Sequence, residues 1–495
     1  MARFISLPLD KRPESTYSLT IMRPLIKELL QSPPDQRSIC VRGWVRTKRE
    51  MKNLVFVEVS DGSCFRGIQC TFDTAGALDS GTIENLARLS TGAAVEISGK
   101  LVQSPATGQA VEAAASSLAI IGPAPAENTA DIPAYPLQKK RHSLEFLREI
   151  AHLRARTNTF GAVARVRNRL AFAVHEFFQR RSFQYVHTPI ITASDAEGAG
   201  AMFQVTTLDL AALANSGKAP DYSKDFFGKR AFLTVSGQLE AETYASALSR
   251  VYTFGPTFRA ENSNTTRHLA EFWMIEPEAA FFDLEDNMAL AEDFIKDLFT
   301  AVQKDCAEDI AFFDSHIEKG ISETLNSVIA SKFTRMTYTD AVKELEKAVS
   351  GNAGLFEFKP FWGCDLQSEH EKFITEKIAG GPVILTDYPK EIKAFYMKMN
   401  ADGKTVRAMD VLVPRLGEII GGSQREEDRS ALMERMKSLG MRPEDYSWYL
   451  DLRCYGTVPH SGFGMGFERL IQYVTGMGNI RDVIPYPRAV GQAEF

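Results

Sequence analysis

The sequence has no long hydrophobic run, few cysteines and no excess of positive charge, and each absence excludes a class of protein. None of its apolar stretches approaches the roughly 18 residues that a membrane-spanning helix requires. The N-terminal residues contain no continuous apolar segment of the signal-peptide type. Its 6 cysteines occur without CxxC spacing, which disfavours a zinc site or a disulfide framework and favours a reducing compartment. We therefore expect a cytoplasmic protein without a membrane partner.

The basic residues are concentrated in two stretches of an otherwise acidic chain. The net charge is −6, yet lysine and arginine greatly outnumber acids within 37–53 and again within 139–156. Concentrated positive charge of this kind is typical of a surface that contacts a phosphate backbone. Solvated surface charge is the alternative interpretation of each stretch taken alone.

The order of patterns along the chain indicates more than one domain, as its 495 residues also do. Between about Ile39 and Ile121, four or five short alternating segments bounded by Gly, Asp and Ser favour a small β-barrel, most simply an oligonucleotide-binding fold. A Pro- and Ala-rich linker follows. A helix is then predicted from apolar residues at helical spacing: Val163, Val166, Leu170, Val174 and Phe177.

The segment "FRAENSNTTRHLAEF" (Phe258–Phe272) places many charges between two apolar, β-rich segments. If those segments are antiparallel neighbours, the period of a strand puts Phe272 and Glu276 on one face. The joining loop then carries four charged or ionisable side chains, Arg259, Glu261, Arg267 and His268. Such a set can stack a base, hold a phosphate and bind an amino group. A surface hairpin with solvated charges is the alternative.

A second charged segment near the C-terminus, "GFGMGFERL", begins with Gly462, Gly464 and Gly466 and continues as a predicted helix. Glycines allow a backbone to approach a ligand closely, and Arg469 is expected in the first helical turn beside them. The segment matches neither the Walker phosphate loop nor the dinucleotide-binding fingerprint.

Together these segments resemble motifs 2 and 3 of the class II aminoacyl-tRNA synthetases. The predicted helix and the "YVHTPIIT" after it resemble motif 1, with Pro189 as its interface proline. The resemblance extends from about Arg37 to Phe495 and is closest to the subclass of aspartyl, asparaginyl and lysyl enzymes. It implies an α+β protein, with an N-terminal OB-fold barrel followed by a catalytic domain in which helices flank an antiparallel sheet.

The implied domain organisation has four parts. Residues 1–36 form an N-terminal extension, 37–122 the anticodon-binding barrel, 123–155 a linker, and 156–495 the catalytic domain. A helical insertion is expected within the last at about 284–380. The family also implies a homodimer formed through motif 1.

The resemblance implies roles in binding ATP and Mg²⁺. Arg259 and Arg469 are the expected catalytic residues: Arg259 binds the α-phosphate and the carbonyl oxygen under attack, and Arg469 lies over adenine and contacts the γ-phosphate. Phe272 stacks on the other face of adenine. The remaining expected ATP contacts are Glu261, Arg267, His268 and Glu418. Asp410 and Glu418 face each other across a predicted hairpin and share Mg²⁺, which prefers carboxylate, water and phosphate oxygens.

The amino acid is expected to be L-asparagine. In the aspartyl enzymes of this family a lysine three residues after the glutamine neutralises the substrate carboxylate; here Gln238 is followed by Ala241 and Glu242. Glu242 would repel aspartate but accept hydrogen bonds from the amide of asparagine, while Arg425 donates to its carbonyl oxygen. Strict alternation from Glu418 puts Arg425 on the opposite face, so this contact requires a bulge at Gly421–Gly422 or the end of the strand there, and the paired glycines favour the bulge.

Other contacts to asparagine and tRNA follow from the same resemblance. Ser236 lies in the selectivity segment, Gln238 and Glu276 would bind the α-ammonium group, and Glu197 lies on a glycine-containing loop that closes over the substrate. In the barrel, Phe56 and Gln69 would stack on and hydrogen-bond an anticodon base of tRNA(Asn). The alternative for Phe56 is a place in the barrel core.

The expected reaction converts asparagine and ATP to asparaginyl-adenylate and pyrophosphate, then transfers asparagine to the 3′-end of tRNA(Asn). Three alternatives stay open. An aspartyl or nondiscriminating aspartyl-tRNA synthetase would be expected to keep the lysine. An ammonia-dependent asparagine synthetase would not need the barrel. A non-catalytic RNA-binding protein would not need Arg259, Arg469, Asp410 and Glu418 together.

Overall fold

The structure, a computed structural model, describes residues 23–106, 108–196, 201–352 and 354–495. These residues form two compact units, the first ending at His142 and the second beginning at Ser143. Within the described ranges, no helix combines the length and the apolar character needed to cross a membrane.

The first unit is a closed five-stranded barrel in which the strands are paired in the order β1-β2-β3-β5-β4. Its strands are β1 Ser38–Met51, β2 Leu54–Ser60, β3 Ile68–Asp73, β4 Ala94–Gln103 and β5 Val111–Gly122, and its helices are α1 Ile26–Leu30 and α2 Ser80–Arg88. In β2, buried Val55, Val57 and Val59 alternate with more exposed residues. The buried side chains fill the barrel, and the intervening ones form its outer surface.

The second unit contains eleven strands and thirteen helices in its described residues. The strands are β6 Gln184–Tyr185, β7 Ile191–Thr192, β8 Gln204–Val205, β9 Ala231–Leu233, β10 Arg250–Phe258, β11 Glu271–Ala280, β12 Thr334–Thr337, β13 Val383–Pro389, β14 Thr405–Val413, β15 Gly417–Gln424 and β16 His460–Gly466. The helices are α3 Leu144–Glu149, α4 Ala151–Arg154, α5 Asn158–Arg180, α6 Leu210–Ser216, α7 Gln238–Leu248, α8 Leu284–Asp305, α9 Ala307–His316, α10 Ile321–Ala330, α11 Tyr338–Gly351, α12 Ser368–Phe373, α13 Arg429–Ser438, α14 Ser447–Asp451 and α15 Phe467–Thr475.

An eight-stranded sheet organises this unit, with strand order β12-β13-β14-β15-β16-β11-β10-β6. All pairings are antiparallel except the two at its edges, β12 with β13 and β10 with β6. The strands that carry the predicted site residues, β11, β14, β15 and β16, are therefore neighbours at its centre. A small sheet of order β7-β9-β8 lies in the same unit.

Helix α5 is the long helix predicted before the sheet. Thr157 caps its N-terminus by accepting a hydrogen bond from the Phe160 backbone N–H, and the predicted apolar residues are all buried: Val163, Val166, Leu170, Val174 and Phe177. Their spacing of three and four residues gives the helix one apolar face, which packs into the core.

The predicted α+β class, a barrel followed by a largely antiparallel sheet with helices, is confirmed. Two segments differ in detail from the predicted organisation. Residues 144–154, within the predicted linker, form α3 and α4 of the second unit. The predicted helical insertion contains five α-helices but also β12, which joins the central sheet.

Candidate active site

One face of the central sheet collects polar groups from four strands. Gly421 of β15 pairs with Asp410 on one side and Gly464 on the other, and Gly462 pairs with both Ser423 and Glu278. Directly paired residues of antiparallel strands point to the same face. Acidic side chains from β11 and β14 are therefore separated by glycines of β15 and β16, which leave space above the sheet.

The absence of a side chain at Gly462 is required by this packing. A Cβ atom at Gly462 would overlap the carboxylate of Glu278, and one at Gly464 would come within 2.8 Å of the Met274 Cε atom. The alternate glycines of "GFGMG" thus make room for the side chains that β11 directs over the sheet.

A cavity of about 210 Å³ lies beside these glycines. It is lined by all the residues predicted to bind ATP: Arg259, Glu261, Arg267, His268, Phe272, Glu418 and Arg469. The guanidinium of Arg259 lies 5.4 Å from the centre of the Phe272 ring, and Arg469 donates a hydrogen bond to the Glu418 carbonyl oxygen at 3.1 Å. The folded chain thus combines arginines with an aromatic face in one concave site.

The loop between β10 and β11 is anchored at its far end by a helix. Arg267 donates a hydrogen bond to the hydroxyl of Ser368, at the start of α12, and the His268 ring nitrogen Nδ1 lies 2.6 Å from the Thr265 hydroxyl. The predicted pairing of β10 with β11 is confirmed, with Phe258 opposite Glu271. The charged side chains of the loop therefore line the cavity, although Glu261 and His268 are exposed.

The sequence predicted that Asp410 and Glu418 face each other across a hairpin. In the structure they are not direct cross-strand partners. Asp410 pairs with Gly421, and Glu418 pairs with Leu412. Both carboxylates nevertheless reach the space over Gly421, where a Cβ atom would lie 3.2 Å from Glu418 Oε1 and 3.5 Å from Asp410 Oδ1.

A β-bulge causes this arrangement, but not where the sequence suggested. Val411 pairs with Ile420 and Leu412 with Glu418, so Ile419 is the extra residue in β15. The prediction of a bulge at Gly421–Gly422 is wrong, because those glycines keep regular partners. One extra residue reverses the alternation, so Glu418 and Arg425 come to the same face.

Two residues that the sequence did not reveal surround the carboxylate pair. Lys393 Nζ donates a hydrogen bond to Asp410 Oδ2 at 2.5 Å, and Glu371 Oε2 accepts one from the Glu418 backbone N–H at 3.1 Å. Burial, with repulsion from Glu418 and Asp410, raises the pKa of Glu371 to about 7. Across the described parts of the chain, no group of three or more His, Cys, Asp or Glu residues is arranged to hold a metal. A metal here would therefore need further oxygen ligands from a substrate.

Glu276 holds the turn that begins α7. Its carboxylate accepts hydrogen bonds from the Ser236 hydroxyl, from the Gly237 backbone N–H at 3.0 Å and from the Thr253 hydroxyl at 3.1 Å. Gln238 follows immediately as the first residue of α7. The structure thus brings together Ser236, Gln238 and Glu276, as the substrate-binding prediction requires.

Glu242 and Arg425 also lie close together, with Arg425 Nε 4.0 Å from Glu242 Oε1, but both side chains are buried and already bonded. Arg425 is held by both carboxylate oxygens of Glu278 and donates to the Ser423 hydroxyl at 2.8 Å. Glu278 was missed, although it follows Glu276 at strand spacing on the same face. Direct contact of Glu242 and Arg425 with a substrate stays a prediction.

The remaining candidates lie elsewhere. Glu197 is outside the described residues. In the barrel, Phe56 and Gln69 are on the outer surface: Phe56 pairs with Thr71, and Gln69 Nε2 donates to Glu112 Oε2 at 3.0 Å. Phe56 alternates with buried Val55 and Val57, so the alternative that it belongs to the barrel core is wrong. The guanidinium of Arg49 lies 5.7 Å from its ring centre.

Two family models match the chain. Residues 143–490 match the tRNA synthetases class II (D, K and N), and residues 39–121 match the OB-fold nucleic acid binding domain. These ranges contain the sheet with its cavity and the barrel, respectively.

Asparagine--tRNA ligases from bacteria resemble the chain over nearly its whole length. The asparagine--tRNA ligase of Treponema denticola is 64% identical over 480 residues, covering 95% of this chain and 99% of the relative. That of Nostoc is 56% identical over 471 residues, with the same coverage of 95% and 99%. The crystal structure of asparaginyl-tRNA synthetase from Pyrococcus horikoshii with asparaginyl-adenylate superposes with a TM-score of 0.82 at 30% identity, covering 96% of this chain and 100% of that one.

The buried ion pair between Glu278 and Arg425 yields a stability prediction. We expect Glu278→Gln to lower the free energy of unfolding by about 3 kcal/mol, because it leaves a buried guanidinium without its countercharge. Glu285→Gln is the matched control: Glu285 pairs with Arg335 at 2.5 Å but is 75% exposed, so the loss should stay below about 1 kcal/mol. Thermal and urea unfolding measure both. Equal losses of unfolding free energy in the two variants would contradict the prediction that burial strengthens the effect of losing the ion pair.

Proposed function

The chain belongs to the class II tRNA synthetases of the D, K and N group, and we propose that it works as an asparagine--tRNA ligase. It joins asparagine to ATP as asparaginyl-adenylate, releasing pyrophosphate, and then transfers asparagine to the 3′-end of tRNA(Asn). The observation that carries this proposal is the cavity of arginines and Phe272 beside the buried Glu242–Arg425 pair.

The side chains of the cavity provide positioning and charge neutralisation for adenylate formation. Arg259 binds the α-phosphate and the carbonyl oxygen, where negative charge develops as the asparagine carboxylate attacks. Phe272 and Arg469 hold adenine between them, and Glu261, Arg267 and His268 shape the bent triphosphate. The reaction needs no separate general base, because the attacking group is already an anion. Arginine suits these tasks because its planar fork both pairs with phosphate and stacks on rings.

Mg²⁺ would be held by Asp410 and Glu418, whose oxygens meet over Gly421. Asp410 Oδ2 is bound to Lys393, while Oδ1 faces the space over Gly421. Two carboxylates with phosphate oxygens and water suit Mg²⁺, which rarely has an all-protein site. The ion, when bound, neutralises phosphate charge at this edge of the cavity.

Selection of asparagine over aspartate depends on charge. Burial by itself raises the pKa of the Glu242 carboxyl, but the charges of Arg453, His460 and Arg425 outweigh burial, and the net pKa lies below its ordinary range. Glu242 is therefore an anion at neutral pH. It favours an amide donor and repels a second carboxylate, which makes an aspartyl enzyme the less favoured alternative.

Binding of tRNA(Asn) and dimer formation complete the proposal. Phe56 and Gln69 lie on the outer barrel surface, where an unstacked anticodon base can reach them. The homodimer would use α5, on which Phe172 is 61% exposed, and the segment with Pro189, next to which Ile190 is also exposed. The cytoplasmic location and the closing loop with Glu197 stay predictions.

The first test is ATP–pyrophosphate exchange with asparagine and aspartate in parallel. We expect exchange with asparagine, and a kcat/KM for aspartate lower by about 10⁴ because the site is built from buried polar pairs. Comparable exchange with aspartate would indicate an aspartyl or nondiscriminating enzyme. Absence of exchange with either amino acid would favour an RNA-binding protein without catalysis.

Gly421→Ala tests the proposed Mg²⁺ site. The added methyl group enters the space between Asp410 Oδ1 and Glu418 Oε1, so the affinity for Mg²⁺ with ATP should fall by about 10-fold. The readout is the stabilisation of the protein by ATP as Mg²⁺ is varied, measured from Tm. Gly478→Ala is the control, since a Cβ atom there contacts nothing. Unchanged Mg²⁺ dependence in Gly421→Ala would contradict the site.

Phe56→Ala tests the barrel surface. Loss of one stacked base should weaken tRNA(Asn) binding by about 1–3 kcal/mol and leave ATP–pyrophosphate exchange without tRNA unchanged. Filter binding measures the first quantity. Ile83→Ala removes another exposed apolar side chain of the same unit and should bind tRNA normally. If the two variants bind tRNA equally well, Phe56 does not contact the RNA.

A further inference from the structure

The Glu242 carboxylate is enclosed by the side chain of Gln238 and by side chains from the last tenth of the chain. It receives hydrogen bonds from Gln238 Nε2 at 3.0 Å, Tyr449 Oη at 2.8 and 2.9 Å, Arg453 Nη2 at 3.0 Å and His460 Nε2 at 2.9 Å. Its side chain has no exposed surface. A carboxylate has about four acceptor positions, so these donors occupy both of its oxygens.

Arg453 is the most constrained member of this group. Besides Glu242, its Nη2 donates to the Tyr449 hydroxyl at 2.9 Å, and its Nε donates to the Glu426 carbonyl oxygen at 2.9 Å. Its guanidinium carbon lies 4.1 Å from the centre of the Tyr449 ring, and its side chain is fully buried. Stacking and hydrogen bonds together leave the guanidinium a single position.

Arg453 is the arginine nearest to Glu242: its Nη2 lies 3.0 Å from Glu242 Oε2, whereas Arg425 Nε lies 4.0 Å from Glu242 Oε1. Two buried carboxylates, Glu242 and Glu278, face Arg425, Arg453 and His460. Arg425 is already committed to Glu278 by two hydrogen bonds. Both His460 ring nitrogens lie 2.9 Å from an oxygen, one from the Val458 carbonyl and the other from Glu242 Oε2.

We propose that Arg453 is a specificity-determining positioning residue: it holds Glu242 as an acceptor-only anion, and Tyr449 orients the same carboxylate. This inference rests on the proposed function. The negative charge of an ionised Glu242 attracts the amide NH₂ group of asparagine and repels a carboxylate. A protonated Glu242 carries a hydroxyl donor, which pairs with the carboxylate of aspartate equally well. Arg453 thus acts on the choice of amino acid through Glu242, without contact with the substrate.

The test compares Arg453→Met with Arg453→Lys in ATP–pyrophosphate exchange with both amino acids. We expect Arg453→Met to lower the ratio of kcat/KM for asparagine over aspartate by about 100-fold or more, with the KM for ATP unchanged. Arg453→Lys keeps the charge and should retain most of the ratio. In Arg453→Met the ratio should fall further as pH decreases, since protonation of Glu242 is then easier, whereas in the unsubstituted chain it should stay level.

Two further variants separate specificity from folding. Arg165→Met removes an arginine that pairs with Asp309 at 2.7 Å away from the site, so it should lower Tm without changing the ratio. If Arg453→Met does not fold, Tyr449→Phe removes one hydroxyl only and should lower the ratio by about 10-fold.

Failure of this inference is distinguishable from failure of the proposed function. If the unsubstituted chain does not exchange with asparagine, the function itself is wrong. If it does, and the Arg453 and Tyr449 variants reduce exchange with both amino acids by one common factor, the ratio is unchanged. Arg453 would then have a purely structural role, and the inference would be overturned.

Discussion

The active-site face depends on the neutralisation of charges that the central sheet buries. Glu242, Glu278 and Arg425 have almost no exposed surface, although each alone would cost several kcal/mol to remove from water. They are tolerable because each is paired and the remaining hydrogen-bonding groups are satisfied by Ser423 and Arg453. The base of the site is therefore a rigid polar surface rather than an apolar core. Positioning two substrates requires such rigidity.

Glycines make this polar surface possible, because they leave space where a larger residue would clash. A side chain at Gly462 would collide with Glu278, and one at Gly421 would enter the gap between Asp410 and Glu418. The bulge at Ile419 has a complementary effect, since it turns Glu418 to the face that Arg425 shares. The space over the glycines and the alternation of side chains along β15 are both set by backbone geometry. The charged side chains occupy the space that this geometry provides.

The two ends of the site use charge differently. Around the ATP cavity, Arg259 and Arg469 line an open surface where they can meet phosphates. Around Glu242, the arginines pair with protein carboxylates instead, and their side chains are buried. In the proposed function, accessible charge would hold the phosphate-bearing substrate, whereas a buried charge would discriminate the amino acid.

The sequence by itself determined the barrel and helix α5 through periodicity, and the α+β class and seven of the residues that line the cavity through local motifs that resemble those of a known family. It also contained Glu276 and hence the face of β11 to which Glu278 belongs. Only the tertiary structure decided the bulge at Ile419, since strand pairing depends on a partner and not on the strand alone. The same holds for Lys393, Glu371, Tyr449 and Arg453, which lie in three segments without a motif. Their roles arise only when folding brings Lys393 to Asp410, Glu371 to the Glu418 backbone, and Tyr449 and Arg453 to Glu242.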